Sequence, residues 1–284
     1  MSSTPSTPIA TVRAVFLDVD GTYADFGVVP QGHVQAVRAA RAAGHKVLLC
    51  TGRPVSMLPE TIRGAGFDGV VASAGAYVEV DGEVLLDRRF PADLAARTVA
   101  ALDAHDAVYI LEAQDSLHVA PEAEPRLHAI IDEHFRSAPE GQPKGSSAIL
   151  GSVRVTPNRA AAAFAKVSVF EAPVPVQRIA EEIGPDIAVV ANSIANEGRH
   201  AGELYQRGIS KADGVAAVMA HFGIEREDTV AIGDGQNDLE MIAFAGVGIA
   251  IEGSSPELLA LADRTAAPPH SEGLVGAFAD LGLI

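Results

Sequence analysis

The chain has little cysteine, few basic residues and no long apolar run, and each shortage removes a class of protein. Cys50 is the single cysteine among 284 residues. It cannot close an intramolecular disulfide or build a Cys-rich zinc site, which suits a reducing cytoplasm. Lys and Arg number 21 against 37 Asp and Glu, a formal charge of −16. No dense Lys/Arg cluster interrupts that balance, so the basic stripe that neutralises nucleic-acid phosphates is missing. No apolar stretch approaches the ~18 residues of a membrane-spanning helix, and runs such as AAAAFA at 160–165 are far too short. The opening MSSTPSTPIATV lacks both a basic and an apolar export region and reads as a flexible tail over residues 1–12.

What is present is a soluble, core-forming composition, 48% hydrophobic and 20% charged, at a length that fits one large or two moderate domains. From Arg13, short β-branched runs alternate with helical stretches. RAVFLDVDG is a near-continuous apolar run ending in acids and a glycine, as in a central strand covered on both faces. A helix is expected from Pro30 to Ala43, stopped at Gly44; then a strand KVLLC, a short helix VSMLPETIRGAG and a strand GVVAS. YVEVDGEVLL follows as a hairpin turning on Asp81-Gly82.

Between Glu83 and Arg207 the elements are less regular, with helices expected at PADLAARTVAALDAH, EPRLHAIIDEHF and PVQRIAEEIG. Strands are expected at AVYILE, SVRVT, KVSVF and IAVVAN, and a Pro/Gly/Ser-rich loop at 137–147. After Ile209 the first style returns: KADGVAAVMAHFG, TVAIGD, NDLEMIAFAG, VGIAI and PELLALAD form a βαβα series that implies a parallel, doubly wound sheet. One α/β domain is therefore inserted in another: first core part 13–83, insertion 84–207, second core part 208–284.

In such a sheet ligands bind beyond the carboxyl ends of the strands. The first strand ends in Asp18-Val19-Asp20-Gly21-Thr22, the second in Thr51-Gly52-Arg53, and a later one in Gly233-Asp234-Gly235-Gln236-Asn237-Asp238, while Lys211 opens the helix before it. Crowded carboxylates repel one another unless a cation shares the site. Oxygen donors with few histidines favour Mg²⁺, and glycines beside the acids let backbone N–H groups approach a phosphate.

DVDGT, Thr51, Lys211 and GDGQND occur in the order and strand context of the haloacid dehalogenase (HAD) superfamily of phosphohydrolases, which the chain resembles over residues 13–281. CTGRP, SAGAYVEVDGEVL, AKVSVF and GISKADGVAAV resemble its Cof-type, class IIB branch. Thirty-one positions separate Asp20 from Thr51, and 160 separate Thr51 from Lys211, so the insertion lies between the second and third motifs. In the resembling family that place defines a C2-type cap over an HAD-like Rossmannoid core.

The resemblance implies a Mg²⁺-dependent phosphomonoester hydrolase in which Asp18 is the nucleophile and Asp20 the general acid and base. Asp18 and Asp234 would hold the metal by carboxylates, and Asp20 by its backbone carbonyl. Thr51, Gly52, Lys211 and Asn237 would bind phosphate or substrate, with Asp238 in support. Arg53 either joins the phosphate grip or pairs with an acid of the lid. Plainer alternatives stay open: a turn aspartate at 18, a solvated helix-start lysine at 211, an N-cap at Asn237-Asp238. Tyr23 stands where the family usually has leucine, facing either the leaving group or solvent, and Ala212 replaces the commoner glycine after the motif lysine. His105, His118, His128 and His134 show no metal-ligand spacing.

The expected partner is a small phosphorylated metabolite, such as a sugar phosphate or pyridoxal phosphate, with no nucleic acid and no membrane. A phosphomutase of the same fold is the nearest rival. A receiver-like phospho-acceptor lacks an acid two residues on and a large inserted lid, and a scaffold has no use for a complete catalytic set. Substrate identity and oligomeric state are open at this level.

Overall fold

The computed structural model describes residues 11–136, 146–190 and 199–284. Residues 1–10 of the tail expected at 1–12, residues 137–145 of the loop expected at 137–147, the last two residues of the strand expected at 187–192 and the side chain of His134 lie outside the described residues, while residues 146 and 147 of that loop open a helix instead. The chain opens with β1 (Ala14–Leu17), α1 (Gln31–Ala42), β2 (Lys46–Cys50), α2 (Glu60–Arg63), β3 (Gly69–Ala72), β4 (Tyr77–Val80) and β5 (Glu83–Asp87). A second group comprises α3 (Ala92–Ala104), β6 (Val108–Glu112), β7 (Leu117–Val119), α4 (Glu124–Arg136), α5 (Ser146–Ser152), β8 (Val153–Val155), β9 (Lys166–Glu171), α6 (Val176–Ile183), β10 (Ile187–Val190) and β11 (Gly202–Gln206). The chain then returns through α7 (Lys211–Phe222), β12 (Thr229–Gly233), α8 (Leu239–Phe244), β13 (Val247–Ile251), α9 (Pro256–Leu261), β14 (Arg264–Ala266) and α10 (Gly273–Asp280).

Two sheets result. The eight-stranded one runs β14-β13-β12-β1-β2-β3-β4-β5, parallel through β3 and antiparallel in the last two pairings; the six-stranded one runs β10-β11-β9-β6-β7-β8. This is an α/β doubly wound core with an inserted α/β cap. The change of sheet falls after Asp87, because all of β5 pairs with β4, so a core segment ending at 83 cuts off the second arm of the hairpin. Asp81 and Gly82, the expected turn, both adopt positive φ (49° and 82°), the geometry that matches strand twist.

Alternation explains why β1 is apolar throughout. Val15 and Leu17 enter one cluster, with Val37 of α1 and Leu274 and Phe278 of α10. Ala14 and Phe16 enter the opposite one, with Val215 and Val218 of α7 and Leu258 of α9. Fully burying each large side chain contributes about 1.5–3 kcal/mol. The expected helix over 55–66 is instead a 3₁₀ turn at Val55–Met57 and the four-residue α2, separated by Leu58 and Pro59.

Tyr23 takes neither of its expected positions. It is fully buried in the core, stacked near His33 and edge-on to Phe67. Burial pushes its phenol up to about 12. His33, also fully buried, bridges two distant segments: Nδ1 lies 2.9 Å from the Tyr23 carbonyl, and Nε2 accepts from the Leu274 amide at 3.2 Å. That pairing requires the neutral Nδ1–H tautomer, in keeping with burial lowering this imidazole's pKa. Among the described residues no helix is long and apolar enough to cross a membrane.

Candidate active site

The strand order reverses at β1, which leads outward to β2 on one side and meets β12 on the other only after the whole insertion. A crevice at the carboxyl end of β1 and β12 is what this topology creates. Asp18 directly continues β1, its amide donating to the Ile232 carbonyl of β12 at 2.9 Å. Gly21 turns the next loop at φ +85°, and a Cβ there would lie 2.3 Å from Asp234 Oδ2, so only glycine lets the two loops meet this closely. Thr22 then donates its hydroxyl to Asp234 Oδ1 at 2.9 Å. Thr22 carried no assigned role in the sequence beyond its place in DVDGT; its function is to orient Asp234.

Lys211 is delivered by the start of α7. Ser210 and Asp213 form a capping box, the Asp213 carboxylate accepting from the Ser210 amide at 2.8 Å. The Ser210 carbonyl sits 1.9 Å from where a Cβ on Gly75 would be, so glycine at 75 permits the docking of this helix end. Far from being solvated, Lys211 is fully buried, with Nζ 2.6 Å from Asp18 Oδ1 and 2.5 Å from Asp238 Oδ1. Asp238 is fully buried too, and its other oxygen accepts from the amides of Asp234 and Gly235 at 3.0 and 2.9 Å. It occupies the N-cap position of α8 without capping that helix; the carboxylate turns back into the site.

Burial pushes the Asp18 carboxyl well above the usual carboxylate range; Lys211 offsets this in part, and Asp238, Asp234 and Asp20 add to it. Burial, then Asp238, raises Asp234 to about 6. Burial acts to lower Lys211, but Asp18 and Asp238 outweigh it and hold the ammonium above its ordinary value. The two partners of the Lys211–Asp18 contact thus lean in opposite directions. Contacts of 2.6 and 2.5 Å to an ammonium shielded from water are those of a charged pair; the push on Asp18 reflects desolvation and crowding by like charges.

One carboxylate oxygen from each of Asp18, Asp234 and Asp238 lies within 4.8 Å of the others. An all-oxygen set without His or Cys suits a hard divalent cation, and three acids facing one ammonium leave a charge deficit that such a cation fills. The side chain of Asp20 stands apart. It is 52% exposed and accepts a two-pronged contact from Arg53, Nε to Oδ2 at 2.6 Å and Nη2 to Oδ1 at 2.5 Å. Arg53 therefore pairs with a core acid, where a phosphate contact or a lid acid had been expected, and donates also to the Met57 carbonyl at 3.2 Å.

Thr51 is buried at the end of β2, its hydroxyl accepting from the Arg53 amide at 3.1 Å. Beside it, a Cβ on Gly52 would stand 3.2 Å from Asn237 Nδ2, placing the second and fourth motifs side by side. The loop after β2 also carries the cap. Gln114, just past β6, accepts from the Val55 amide and donates to Ser73 Oγ, while Ser56 donates to the Ala113 carbonyl. Nothing in the sequence marks Gln114 as a contact residue. Of the expected non-participants, His105 pairs with Glu182, and His118 with Ser116 and Thr156.

Cys50 ends β2 fully buried, and burial pushes its thiol up, away from the thiolate form. A thiol-specific reagent at pH 8 is expected to leave Cys50 unmodified in the native protein and to label it completely in denaturant, as read by intact mass. Rapid native labelling would contradict the packing described.

Acids and a buried ammonium at the point of strand-order reversal, roofed by a second α/β layer, define the class as a HAD-type phosphatase. The match to the haloacid dehalogenase-like hydrolase family spans residues 15–278, and the chain belongs to that family. YkrA of Bacillus subtilis, designated a phosphatase, is 24% identical over 278 residues, covering 96% of this chain and 98% of that protein. A Streptococcus pyogenes protein designated a bifunctional phosphatase/peptidyl-prolyl cis-trans isomerase is 24% identical over 96% of this chain, which spans 54% of its length. The HAD subclass IIB sugar phosphatase BT4131 superposes with a TM-score of 0.73 at 21% identity, covering 96% of this chain and 100% of that one, a likeness of fold.

Proposed function

We propose that the protein is a cytoplasmic, Mg²⁺-dependent phosphomonoester hydrolase acting on a small phosphorylated metabolite, of the sugar phosphate or pyridoxal phosphate type, through an aspartyl-phosphate. The observation that carries the reading is the buried Lys211 clamped between Asp18 and Asp238, with Asp234 completing the acid cluster. Asp18 is the nucleophile: its carboxylate attacks phosphorus in line as the ester oxygen departs. Asp20 gives that oxygen a proton, later takes one from the water that attacks the acyl-phosphate, and so is restored when phosphate leaves. To do so it must exchange Arg53 for the reacting oxygen. Lys211 spreads the charge of the transferring group, and Thr51, the Gly52 amide and Asn237 position its oxygens.

Asp18, Asp234 and the Asp20 carbonyl would hold Mg²⁺, with Asp238 close enough to Asp18 and Asp234 to complete the oxygen shell. The ion would supply positive charge beside the phosphoryl oxygens. Phosphate release from p-nitrophenyl phosphate should fall at least about a hundredfold in EDTA and return with millimolar Mg²⁺. Activity indifferent to chelation would sink the metal assignment.

A further inference from the structure

The cap turns one polar face toward the site. Antiparallel register sets Glu112 of β6 opposite Lys166 of β9, Ser168 of β9 opposite Glu203 of β11, and Tyr205 opposite Lys166. Directly paired residues and their i+2 neighbours share a face, so these five side chains lie together. The intervening Leu111, Val167, Val169 and Leu204 enter the apolar cluster with α3 and α6 on the other face. Lys166 Nζ lies 4.0 Å from where a Cβ on Gly52 would be, over the loop that also borders Asn237, and the charge of Glu112 reaches Arg53.

Within this face Lys166 Nζ is 3.2 Å from Glu112 Oε2 and 3.1 Å from Glu203 Oε2, and Ser168 donates to Glu112 Oε1 at 2.5 Å. Lys166 is 4% exposed and Glu112 2%. Among the described residues Glu112 Oε2 has the ammonium beside it and no second donor. Glu203 keeps 23% of its side chain exposed, and burying the Glu112–Lys166 pair beneath it gains little over an apolar face of the same shape, so a stabilising role does not account for the cluster. It faces the loop after β2, is held by three strands, and leaves the Glu203 carboxylate partly exposed.

We propose that Glu112, Lys166 and Glu203 bind the leaving group and select an uncharged, hydroxyl-bearing alcohol. A hydroxyl both donates and accepts, so it satisfies a carboxylate and an ammonium together. A leaving group with its own carboxylate meets two acids against one ammonium, and an aryl group leaves the cluster's polar atoms unpaired. The Tyr205 ring adds a flat apolar wall beside Lys166. The strand KVSVFE carried the signal, two polar residues at i and i+2 on an apolar strand, but nothing in it told which layer that face would meet.

The inference rests on the phosphomonoesterase reading. Its test is the kcat and KM of the parent protein, Lys166→Met, Glu203→Gln and the double variant Glu112→Gln/Lys166→Met. The substrates are glycerol 3-phosphate, erythrose 4-phosphate and glucose 6-phosphate, against phenyl phosphate and 3-phosphoglycerate. The parent should favour its best hydroxylated ester over phenyl phosphate and 3-phosphoglycerate by at least tenfold in kcat/KM, and each variant should shrink that preference at least tenfold, chiefly through KM. The double variant removes both members of the buried pair, so an unfolded Lys166→Met does not end the test. A preference unchanged in the folded variants, or a parent favouring the aryl or anionic ester, overturns the proposal while leaving hydrolysis standing. No release from any ester, with calorimetry in the Asp18→Asn background showing glucose 6-phosphate binding weakened tenfold by Lys166→Met, overturns hydrolysis and upholds recognition.

Discussion

Asp18→Asn is expected to yield a folded protein whose phosphate release falls below about one ten-thousandth of the parent rate, the scale of loss when a covalent nucleophile is removed. The amide keeps the shape of the side chain but cannot form the acyl-phosphate. Stability should move the other way. Asp18 is a buried carboxyl with its pKa raised by burial and by three neighbouring acids, so at pH 7 its negative charge opposes folding. Removing that charge leaves Lys211 paired with Asp238. The melting temperature is therefore expected to hold or rise as activity disappears. A loss of activity accompanied by a lower melting temperature would point to a structural aspartate; near-parent activity would remove Asp18 from the mechanism.

Lys211→Met is expected to cost both activity and stability. Methionine fills the volume but leaves Asp18, Asp234 and Asp238 together, their oxygens within 4.8 Å and no fixed cation between them. Breaking a buried charge network by removing one partner costs about 3–5 kcal/mol. For a domain of this size that lowers the melting temperature by roughly 10 °C. The contrast between the two variants is the diagnostic: one removes a surplus charge, the other the charge that holds the surplus. Equal melting temperatures would show that the ammonium has no structural share in the site.

The fold was legible where apolar runs were long or closed by turn residues: β1, β2, β12 and the Asp81-Gly82 hairpin all fall where composition placed them. β7, at three residues, and β14, also three, are too short to show any period and exist because a longer neighbour offers them an edge. β11, GELYQ, hides behind a leading glycine and polar residues whose purpose is to face the core. At the site, residues at strand ends were legible because topology brings all such ends to one edge, where Asp18 and Asp234 lie and where the start of α7 delivers Lys211. Pairings across layers were not. Arg53 choosing Asp20, Gln114 gripping Ser73 and Tyr23 turning inward depend on the mutual placement of loops with no periodic pattern.

β1 lies between a neighbour close in sequence and one very far from it, and the Lys211–Asp18 bond spans 193 residues. During synthesis the chain can pair β1 with β2 almost at once, but the other edge of β1 stays open until the entire cap and α7 have emerged and β12 arrives. For that interval a fully apolar strand presents unpaired backbone groups, the condition under which nascent chains associate wrongly. The same delay means that the reactive acids are not gathered until the last third of the polypeptide is in place. A truncated or half-folded chain thus lacks the assembled cluster of Asp18, Asp234, Asp238 and Lys211, which forms only after the sheet has closed around its central strand.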